Sequence, residues 1–439
     1  MKRSALFYSL LAMVLLCAGI ILFKVKSRSG NDDKIPPAKL KADLEFLYKQ
    51  IVTVNPDPFI NCSRAGIDSL REKINGSIND SMTAIQYYRL VRPLVSAYND
   101  GHLSIFPERD FAKFKREHGK VFPLDVLIDN GGLFIKGGLS KSSIVTPGSQ
   151  IVSINNIPAG TIIKTLLTFF SGDSNPYKIK TVEENFAIGL WRAYGFNNNF
   201  QLQLSNGKKV IVHGVEPAGH ANQQASLKIL KSANEPVALI TIPSLVIDNK
   251  KGFSRFLDSS FTLISQMKIN TLVIDIRNNG GGSTLLARQV FDYITTTPYS
   301  VSREEIAYSN GHFMQTVDTS LTKPKQLKNK FNGKTILLMN SGTYSSAHMM
   351  ANTFKYYKMG TTVGDSSCER MRISGEVNKI ILPATKLEMY CPSSVFILPA
   401  ASGQQSRLIP DHLIPLTFDD RLKNYDKQLQ FCLKLVTVK

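Results

Sequence analysis

The sequence predicts an α/β protein whose core is preceded by a helical region and a small β-rich domain. From residue 237 onward, apolar runs typical of buried strands alternate with amphipathic stretches typical of helices. Residues 40–97 carry apolar side chains at helical spacing, and residues 122–215 carry short apolar runs separated by turn signals. A chain of 439 residues is too long for one simple core, so we expect several domains.

The N-terminal segment has the pattern of an export signal. Lys2 and Arg3 precede an apolar run over residues 5–23, which as a helix would be about 29 Å long and could cross a bilayer. No small-residue cleavage site stands out. We therefore expect a signal anchor over residues 1–26, with a cleaved signal peptide as the alternative, and a polar linker over residues 27–38. The body of the protein would then be exported to the periplasmic or extracytoplasmic side of the membrane.

Two domains are predicted before the core. The helical spacing assigns residues 39–115 to a helical domain, and residues 120–218 to a β-domain in which Asp129-Asn-Gly-Gly132 is a strong hairpin signal. A Pro-Gly-x-x-Ile-x-x-Ile-Asn string beginning at Pro147, followed by a helical run, resembles a PDZ domain. Such domains capture extended peptide ends by adding them to a sheet as a strand. A generic small β-domain is the alternative.

The core is predicted over residues 230–439. Its elements are strands at 237–242, 271–276 and 334–339, helices at 253–267, 285–294 and 347–357, and a closing helix at 420–435. The strand from Thr271 to Ile276 is almost continuously apolar, which is typical of a strand buried on both faces of a sheet.

The distribution of charge argues against a nucleic-acid partner, and the spacing of the cysteines argues against a structural zinc site. The formal charge of +19 would suit nucleic acid, but the lysines are spread along the chain and no nucleic-acid-binding motif is present. General surface charge is the better interpretation, and no nucleic-acid partner is expected. The five cysteines form no CxxC pair, which argues against a structural zinc site. Cys368 and Cys391 flank a predicted strand pair, and their spacing leaves open whether they form a disulfide.

Ser345 lies where a predicted strand turns into a predicted helix. The strand run 336–339 is broken at 340–342, and helical spacing resumes at Ala347. A hydroxyl at such a turn is exposed, and the N–H of Ser346 points out of the helix N-terminus, where the dipole favours an anion. The turn can therefore supply both a nucleophile and an oxyanion donor. An ordinary serine N-cap is the alternative.

A second buried strand runs into three glycines at positions 280–282. Because glycine lets the backbone approach a ligand closely, Gly281 is a candidate for a second oxyanion donor. The spacing matches neither GxxxxGK[ST] nor GxGxxG, which argues against a phosphate-binding loop. A plain flexible turn is the alternative. Asp275 and Arg277 are expected to pair with each other and brace the loop.

His102 is the candidate general base. It follows Gly101 in a polar turn at the end of a helical run, and a histidine with a pKa near ~6.5 can accept the proton of a serine hydroxyl. Among the other histidines only His348 is a rival. It lies three residues after Ser345, which on a helix is nearly the same face.

Taken in order, these segments resemble the S41 family of serine peptidases, the C-terminal processing and tricorn-core proteases. The matching motifs are Asp275-Ile-Arg277-Asn-Asn279-Gly-Gly281-Gly282, Thr343-Tyr-Ser345-Ser-Ala-His348, Asp100-Gly-His102 and Pro410-Asp411. The similarity covers roughly residues 40–437. It implies a ClpP/crotonase-like α/β core with an N-terminal helical domain and a PDZ-like insert, and it implies no metal or organic cofactor.

The sequence departs from the family pattern at the general base. The lysine that serves as base in the processing proteases is matched best by Arg370, and an arginine stays protonated and cannot accept the proton. The resemblance is therefore to the tricorn-like branch, which uses a histidine, and His102 matches that element. The family glutamate near the nucleophile is replaced by His348. Glu376 is the candidate for a third residue that orients the histidine.

The resemblance implies an exported, membrane-anchored serine endopeptidase that acts on polypeptide substrates. In this interpretation Ser345 attacks the peptide carbonyl, His102 takes its proton, and the N–H groups of Ser346 and Gly281 hold the oxyanion. The alternative is a non-catalytic peptide-binding protein on the same scaffold, which the missing lysine and the missing glutamate favour.

Overall fold

The computed structural model describes residues 34–138, 145–217, 224–232, 235–399 and 406–435. The predicted signal anchor lies outside the described residues. Within the described ranges, no helix is both long enough and apolar enough to span a bilayer.

The helical region contains the three helices that the sequence predicts. They are α1 (Pro37–Val54), α2 (Arg64–Ser77) and α3 (Ala84–Ala97). Helix α1 begins at a proline, whose fixed φ and missing N–H suit the first helical position. Thr83 and Gln86 form a capping box at the start of α3, which satisfies two backbone groups that the helix itself leaves free. A short strand, β1 (Ser104–Phe106), and helix α4 (Glu108–Arg116) follow.

The β-domain is an antiparallel sheet with three helices. In chain order its elements are β2 (Leu124–Asp129), β3 (Gly132–Gly138), β4 (Gln150–Ile154), β5 (Ile157–Pro158), α5 (Ala159–Phe169), α6 (Asn175–Glu184), α7 (Phe186–Tyr194), β6 (Asn199–Leu204) and β7 (Lys209–His213). The strands lie in the order β2-β3-β4-β6-β7, with β5 paired to β4. The predicted hairpin is present, since Asp129 pairs with Gly132. Helices α6 and α7 were not predicted, and the similarity to a PDZ domain stays a prediction.

The helical region and the β-domain share one hydrophobic core. Leu94 of α3, Ile162 of α5 and Phe200 of β6 belong to the same cluster of buried side chains. This cluster also takes in Met389, which lies in the C-terminal half of the chain. The helical region and the β-domain therefore form one continuous interior that extends to Met389.

The C-terminal half is built around a mostly parallel sheet. Its elements are β8 (Ser226–Lys231), β9 (Pro236–Thr241), α8 (Lys250–Gln266), β10 (Thr271–Asp275), α9 (Thr284–Ile294), β11 (Glu304–Ser309), β12 (His312–Val317), β13 (Lys334–Met339), α10 (Ser346–Tyr356), β14 (Thr361–Gly364), β15 (Arg372–Ile381), β16 (Glu388–Ile397), β17 (His412–Leu413), α11 (Phe418–Leu422) and α12 (Lys427–Leu435). The sheet order is β17-β14-β13-β10-β9-β8, and only β8 runs antiparallel to its neighbour. The carboxyl ends of β10 and β13 are adjacent, which is the edge where open α/β sheets place their sites.

Strand β10 is buried on both faces, as predicted. Leu272 and Ile274 pack into the cluster that contains side chains of α8, α9 and α10. Val273 points the other way and packs with Cys432 of α12. A continuous apolar run is what a strand covered on both faces requires.

A second sheet brings the His102 turn to the core. Its order is β1-β16-β11-β12, with β15 on the other edge of β16, and all its pairs are antiparallel. Ser104 in β1 pairs with Tyr390 in β16. His102, two residues before Ser104, is therefore held beside strands of the C-terminal half.

The structure corrects the prediction for the C-terminal helix and answers the question that the sequence left open about Cys368 and Cys391. The predicted C-terminal helix is two helices, because the chain turns through Asn424 at a φ of 52°. The turn allows Asp426 to pair with Arg277 at 2.7 Å. Cys368 and Cys391 are both buried free thiols in the structure.

Candidate active site

Ser345 lies in a strained turn between β13 and α10. Its φ is 52° and its ψ is −127°, a conformation that residues with a side chain rarely adopt. Such strain persists only where the surroundings enforce it, and a sharp strand-to-helix turn of this kind exposes the nucleophile in many hydrolases. Here Thr343 accepts a hydrogen bond from the N–H of Asn340 and donates one to the carbonyl of Ile276, both at 3.0 Å.

The glycine loop after β10 packs directly against this turn. The N–H of Tyr344 donates to the carbonyl of Asn279 at 2.9 Å, and Ser346 Oγ donates to the carbonyl of Gly282 at 2.6 Å. A Cβ at Gly281 would lie 2.7 Å from the Cβ of Ser345, and the φ of Gly281 is +96°. Both the contact and the backbone angle therefore require glycine.

The two predicted oxyanion donors differ in their surroundings. Among the described residues, the N–H of Ser346 at the first position of α10 has no hydrogen-bond acceptor. The N–H of Gly281, in contrast, donates to Asn279 Oδ1 at 2.9 Å. In this structure Gly281 is therefore not free to hold an oxyanion, because its one backbone proton is already engaged. Ser346 stays a candidate donor.

His102 has its two ring nitrogens in different environments. Around Nδ1 lie Ser374 Oγ at 3.1 Å, Tyr344 OH at 3.5 Å, Asp100 Oδ1 at 3.6 Å and Glu369 Oε1 at 4.0 Å. The imidazole ring also packs on the Tyr344 ring, with centroids 4.9 Å apart. Nε2 is buried and has no hydrogen-bond partner among the described residues. The ring is thus held through Nδ1, which leaves Nε2 available for proton transfer.

Ser345 and His102 line the same cavity, whose volume is about 920 Å³. The sequence places them far apart, and the pairing of β1 with β16 brings them together. Ser345 Oγ and His102 Nε2 are not hydrogen-bonded to each other in the structure. Such catalytic hydrogen bonds are often long without substrate and shorten only in the substrate complex.

Glu369 is one of the site carboxylates that sequence reasoning missed. Its side chain is buried, accepts a hydrogen bond from the N–H of Ser345 through Oε2, and places Oε1 4.0 Å from His102 Nδ1. It directly precedes Arg370, the position that matched the family lysine. Glu376, the predicted third residue, is exposed at the cavity wall instead. The geometry therefore favours Glu369 over Glu376 as the carboxylate that acts on the histidine.

Asp173 joins the β-domain to both catalytic motifs. Its Oδ2 accepts hydrogen bonds from the hydroxyl of Tyr344 and from the N–H of Gly101 at 3.3 Å. Its Oδ1 accepts one from Asn61 at 3.1 Å. One carboxylate in the loop before α6 thus contacts the residue before the nucleophile and the residue before the histidine.

The carboxylates keep His102 charged. Burial disfavours the imidazolium, but the interaction with Asp100 and the negative charges of Glu369 and Asp173 outweigh it and raise the pKa of His102 to about 9. Burial in turn raises the pKa of Glu369 well above its ordinary range and that of Asp173 to about 6. The carboxyl groups and the imidazole therefore titrate together, so that the protonation of each depends on the others.

The remaining residues singled out in the sequence, His348, Arg277 and Asp275, have structural roles. His348 is buried outside the cavity with Nε2 3.0 Å from the carbonyl of Arg370, and burial lowers its pKa to about 4. Neither ring nitrogen of His348 is hydrogen-bonded to Ser345, so the geometry does not support it as a rival base. Arg277 pairs with Asp275 at 2.6 Å, which confirms that these two residues brace the glycine loop.

Comparisons with known proteins agree with the motifs. Residues 236–385 match the model of Peptidase family S41. A search of curated protein sequences gave no significant match.

Solved structures share the fold over most of the chain. A serine-to-alanine mutant of CPAF is 12% identical, with a TM-score of 0.71 over 91% of this chain and 97% of that one. Mature CPAF complexed with lactacystin is 14% identical, with a TM-score of 0.67 over 91% of this chain and 98% of that one. At these identities the likeness concerns the fold alone. Together with the family match it confirms the resemblance to the S41 family of serine peptidases predicted from the sequence, and the match itself covers residues 236–385.

Proposed function

We propose that this peptidase is an endopeptidase in which Ser345 is the nucleophile and His102 the general base. The observation that carries the proposal is the shared cavity, into which a serine in a strained turn and a histidine with an unpartnered Nε2 both project. The contacts of Ser374 and the nearby carboxylates with Nδ1 support the same assignment, because they fix the ring with Nε2 available.

The reaction would follow the two-step route of acyl transfer. His102 Nε2 takes the Ser345 hydroxyl proton as Oγ bonds to the peptide carbonyl carbon, and the N–H of Ser346 stabilises the oxyanion. The C–N bond then breaks and His102 gives the proton to the leaving amine. A water oxygen then bonds to the acyl carbon as His102 takes its proton, and His102 returns that proton to Ser345 Oγ as the ester C–O bond breaks and the carboxylic acid leaves. Because His102 starts largely protonated, the base must first lose a proton to solvent.

Glu369 would position the two reacting residues relative to each other. It contacts the backbone of Ser345 through one oxygen and approaches His102 with the other. A carboxylate in this place stabilises the imidazolium that forms during attack, which is the role of the third residue in serine triads.

Peptide cleavage by a Ser345→Ala variant tests the proposal. Removing the nucleophile should lower kcat/KM at least about 1,000-fold while the thermal unfolding midpoint stays close to that of the parent. Ser205→Ala is the matched control, since Ser205 lies exposed in the turn between β6 and β7, and it should cleave like the parent. Cleavage by folded Ser345→Ala at the parental rate would contradict the assignment.

The protein is further proposed to be exported and held at the membrane by residues 1–26. The support is the apolar run between basic flanks in the sequence. Cell fractionation provides the measurement: the full chain should sediment with membranes, and a chain that lacks residues 1–33 should not. Equal release of both chains into the soluble fraction would contradict anchoring.

A further inference from the structure

The catalytic cavity carries negative charge although the chain as a whole is strongly basic. The formal charge of the protein is +19. Among the described residues, the cavity that contains Ser345 and His102 is lined by one guanidinium, that of Arg288, and by five carboxylates. These are Asp248, Glu304, Glu305, Asp318 and Glu376. A cleft lined by one sign of charge raises the local concentration of oppositely charged ligands.

Within the described residues the five carboxylates form no ion pair, and the charge of Arg288 acts on one of them, Asp318, at longer range. Within the described part of the chain, none of them forms an ion pair with a lysine or an arginine. The contacts they do make are with neutral groups, such as that of Glu305 Oε1 with Ser394 Oγ at 3.0 Å and that of Glu304 Oε1 with Gln315. Their negative charge is therefore available to a ligand in the cavity.

Glu305 lies at the end of an apolar row on the cavity floor. Ile373 in β15 pairs with Phe396 in β16, and Phe396 pairs with Glu305 in β11. Directly paired residues share a face of a sheet, so the three side chains lie on one face, and all three line the cavity. Adjacent strands are about 4.8 Å apart, so the row extends for about 10 Å.

The floor begins beside the catalytic residues. Ser374, the residue after Ile373, contacts His102 Nδ1 at 3.1 Å. Gly375 leaves the floor open, because a Cβ at that position would lie 2.9 Å from the Phe396 ring. A long side chain extending from a bound peptide would pass over the apolar side chains and reach the half-buried carboxylate of Glu305 at the far end.

We propose that this cavity selects peptides that carry a lysine or arginine side chain next to the cleaved bond, and that Glu305 is the specificity-determining residue. Lysine and arginine match the row because their methylene stems cover apolar surface while the charged group meets the carboxylate. Ser394 fixes the carboxylate in place, and the other four carboxylates strengthen the field around the opening. Peptides with acidic side chains at the same position are repelled. The inference rests on the proposed peptidase function of the same cavity.

A peptide library in which each position is varied in turn tests the preference. Cleavage products of the full-length wild-type protein, read by mass spectrometry, should be enriched in lysine or arginine at one position beside the cleaved bond. The preference should weaken as ionic strength rises, because salt screens charges in an open cleft. Active enzyme without enrichment of basic residues would overturn the inference and leave the proposed function standing. Folded enzyme that cleaves no peptide would overturn both.

Variants at position 305 identify the residue responsible. Glu305→Gln keeps the side-chain shape and should lower kcat/KM at least about tenfold for a lysine peptide, with little change for the matched norleucine peptide. Glu305→Lys should move the preference toward a glutamate peptide. Glu72→Gln, an exposed change on α2, is the control that should keep the parental preference. An undiminished preference for lysine in Glu305→Gln would overturn the assignment, and the norleucine peptide reports separately on intact folding and chemistry.

Discussion

His102 is surrounded by more carboxyl groups than a single imidazolium can neutralise if all of them ionise. Asp100, Glu369 and Asp173 all raise its pKa, and burial raises the pKa values of Glu369 and Asp173 in return. At the residue scale this arrangement would stabilise the protonated imidazole that forms during attack in the proposed mechanism. It also makes the resting enzyme a poor base at neutral pH, since the neutral imidazole is then the minor form.

The pH dependence of cleavage follows from this balance. A general base must be neutral, so kcat/KM should rise with pH and level off above an apparent pKa of about 9. Glu369→Gln removes one negative charge beside the ring, which lowers the pKa of His102 and should move the rising limb to lower pH. The measurement is kcat/KM against pH for both proteins.

The pH at which kcat/KM rises distinguishes the electrostatic role of Glu369 from a purely structural one. Loss of packing around Glu369 would reduce kcat/KM at every pH without shifting the pH at which kcat/KM rises. Glu72→Gln, far from the ring, should leave the limb unchanged. A limb that moves to higher pH in Glu369→Gln would contradict the electrostatic account.

At the scale of elements, the site depends on three turns that meet at the ends of strands. The turn after β13 carries Ser345, the loop after β10 packs against it, and the turn before β1 carries His102. Asp173 in the loop before α6 bonds to two of these turns at once. The β-domain is therefore connected by direct hydrogen bonds to the residues that immediately precede Ser345 and His102.

Gly281 tests how tightly the loop supports the nucleophile. Gly281→Ala would place a methyl group 2.7 Å from the Cβ of Ser345 at a φ of +96°, so the turn must shift. We expect at least about a tenfold loss of kcat/KM and a loss of about 1–3 kcal/mol of stability. Activity assays and thermal unfolding provide the measurement.

The neighbouring glycine is the matched control for that change. A Cβ at Gly280 would meet nothing within 4 Å, and its φ is not in the left-handed region. Gly280→Ala should therefore lose much less activity than Gly281→Ala. Equal effects of the two substitutions would contradict the close packing of the loop on Ser345.

At the scale of the whole molecule, the sequence predicts local features better than distant contacts. Continuous apolar runs predicted β10 and β13 because strands covered on both faces leave no room for polar alternation. The serine turn, the glycine loop and the histidine turn were each recognisable from their local residue types. The break in the C-terminal helix was not, because the contact that accompanies it joins Asp426 to Arg277, residues far apart in the chain.

The same reason explains which site residues escaped prediction. Glu369 differs from an ordinary buried glutamate only through its contacts with Ser345 and His102, which the fold creates. Asp173 lies in a segment without any catalytic motif. Gly281 was predicted as an oxyanion donor from residue type, whereas its N–H bonds to Asn279 two residues before it. The glycine at position 281 indicated that another group must approach the backbone closely there. The hydrogen bonds identify that group.

The central claim is that Ser345 is a nucleophile activated at this site, and labelling by a fluorophosphonate probe tests it most directly. Peptide mapping by mass spectrometry should locate the probe on Ser345, with no labelling of Ser345→Ala and strongly reduced labelling of a His102→Ala variant. A folded wild-type protein that takes up no probe, or a probe attached to a different serine, would contradict the account.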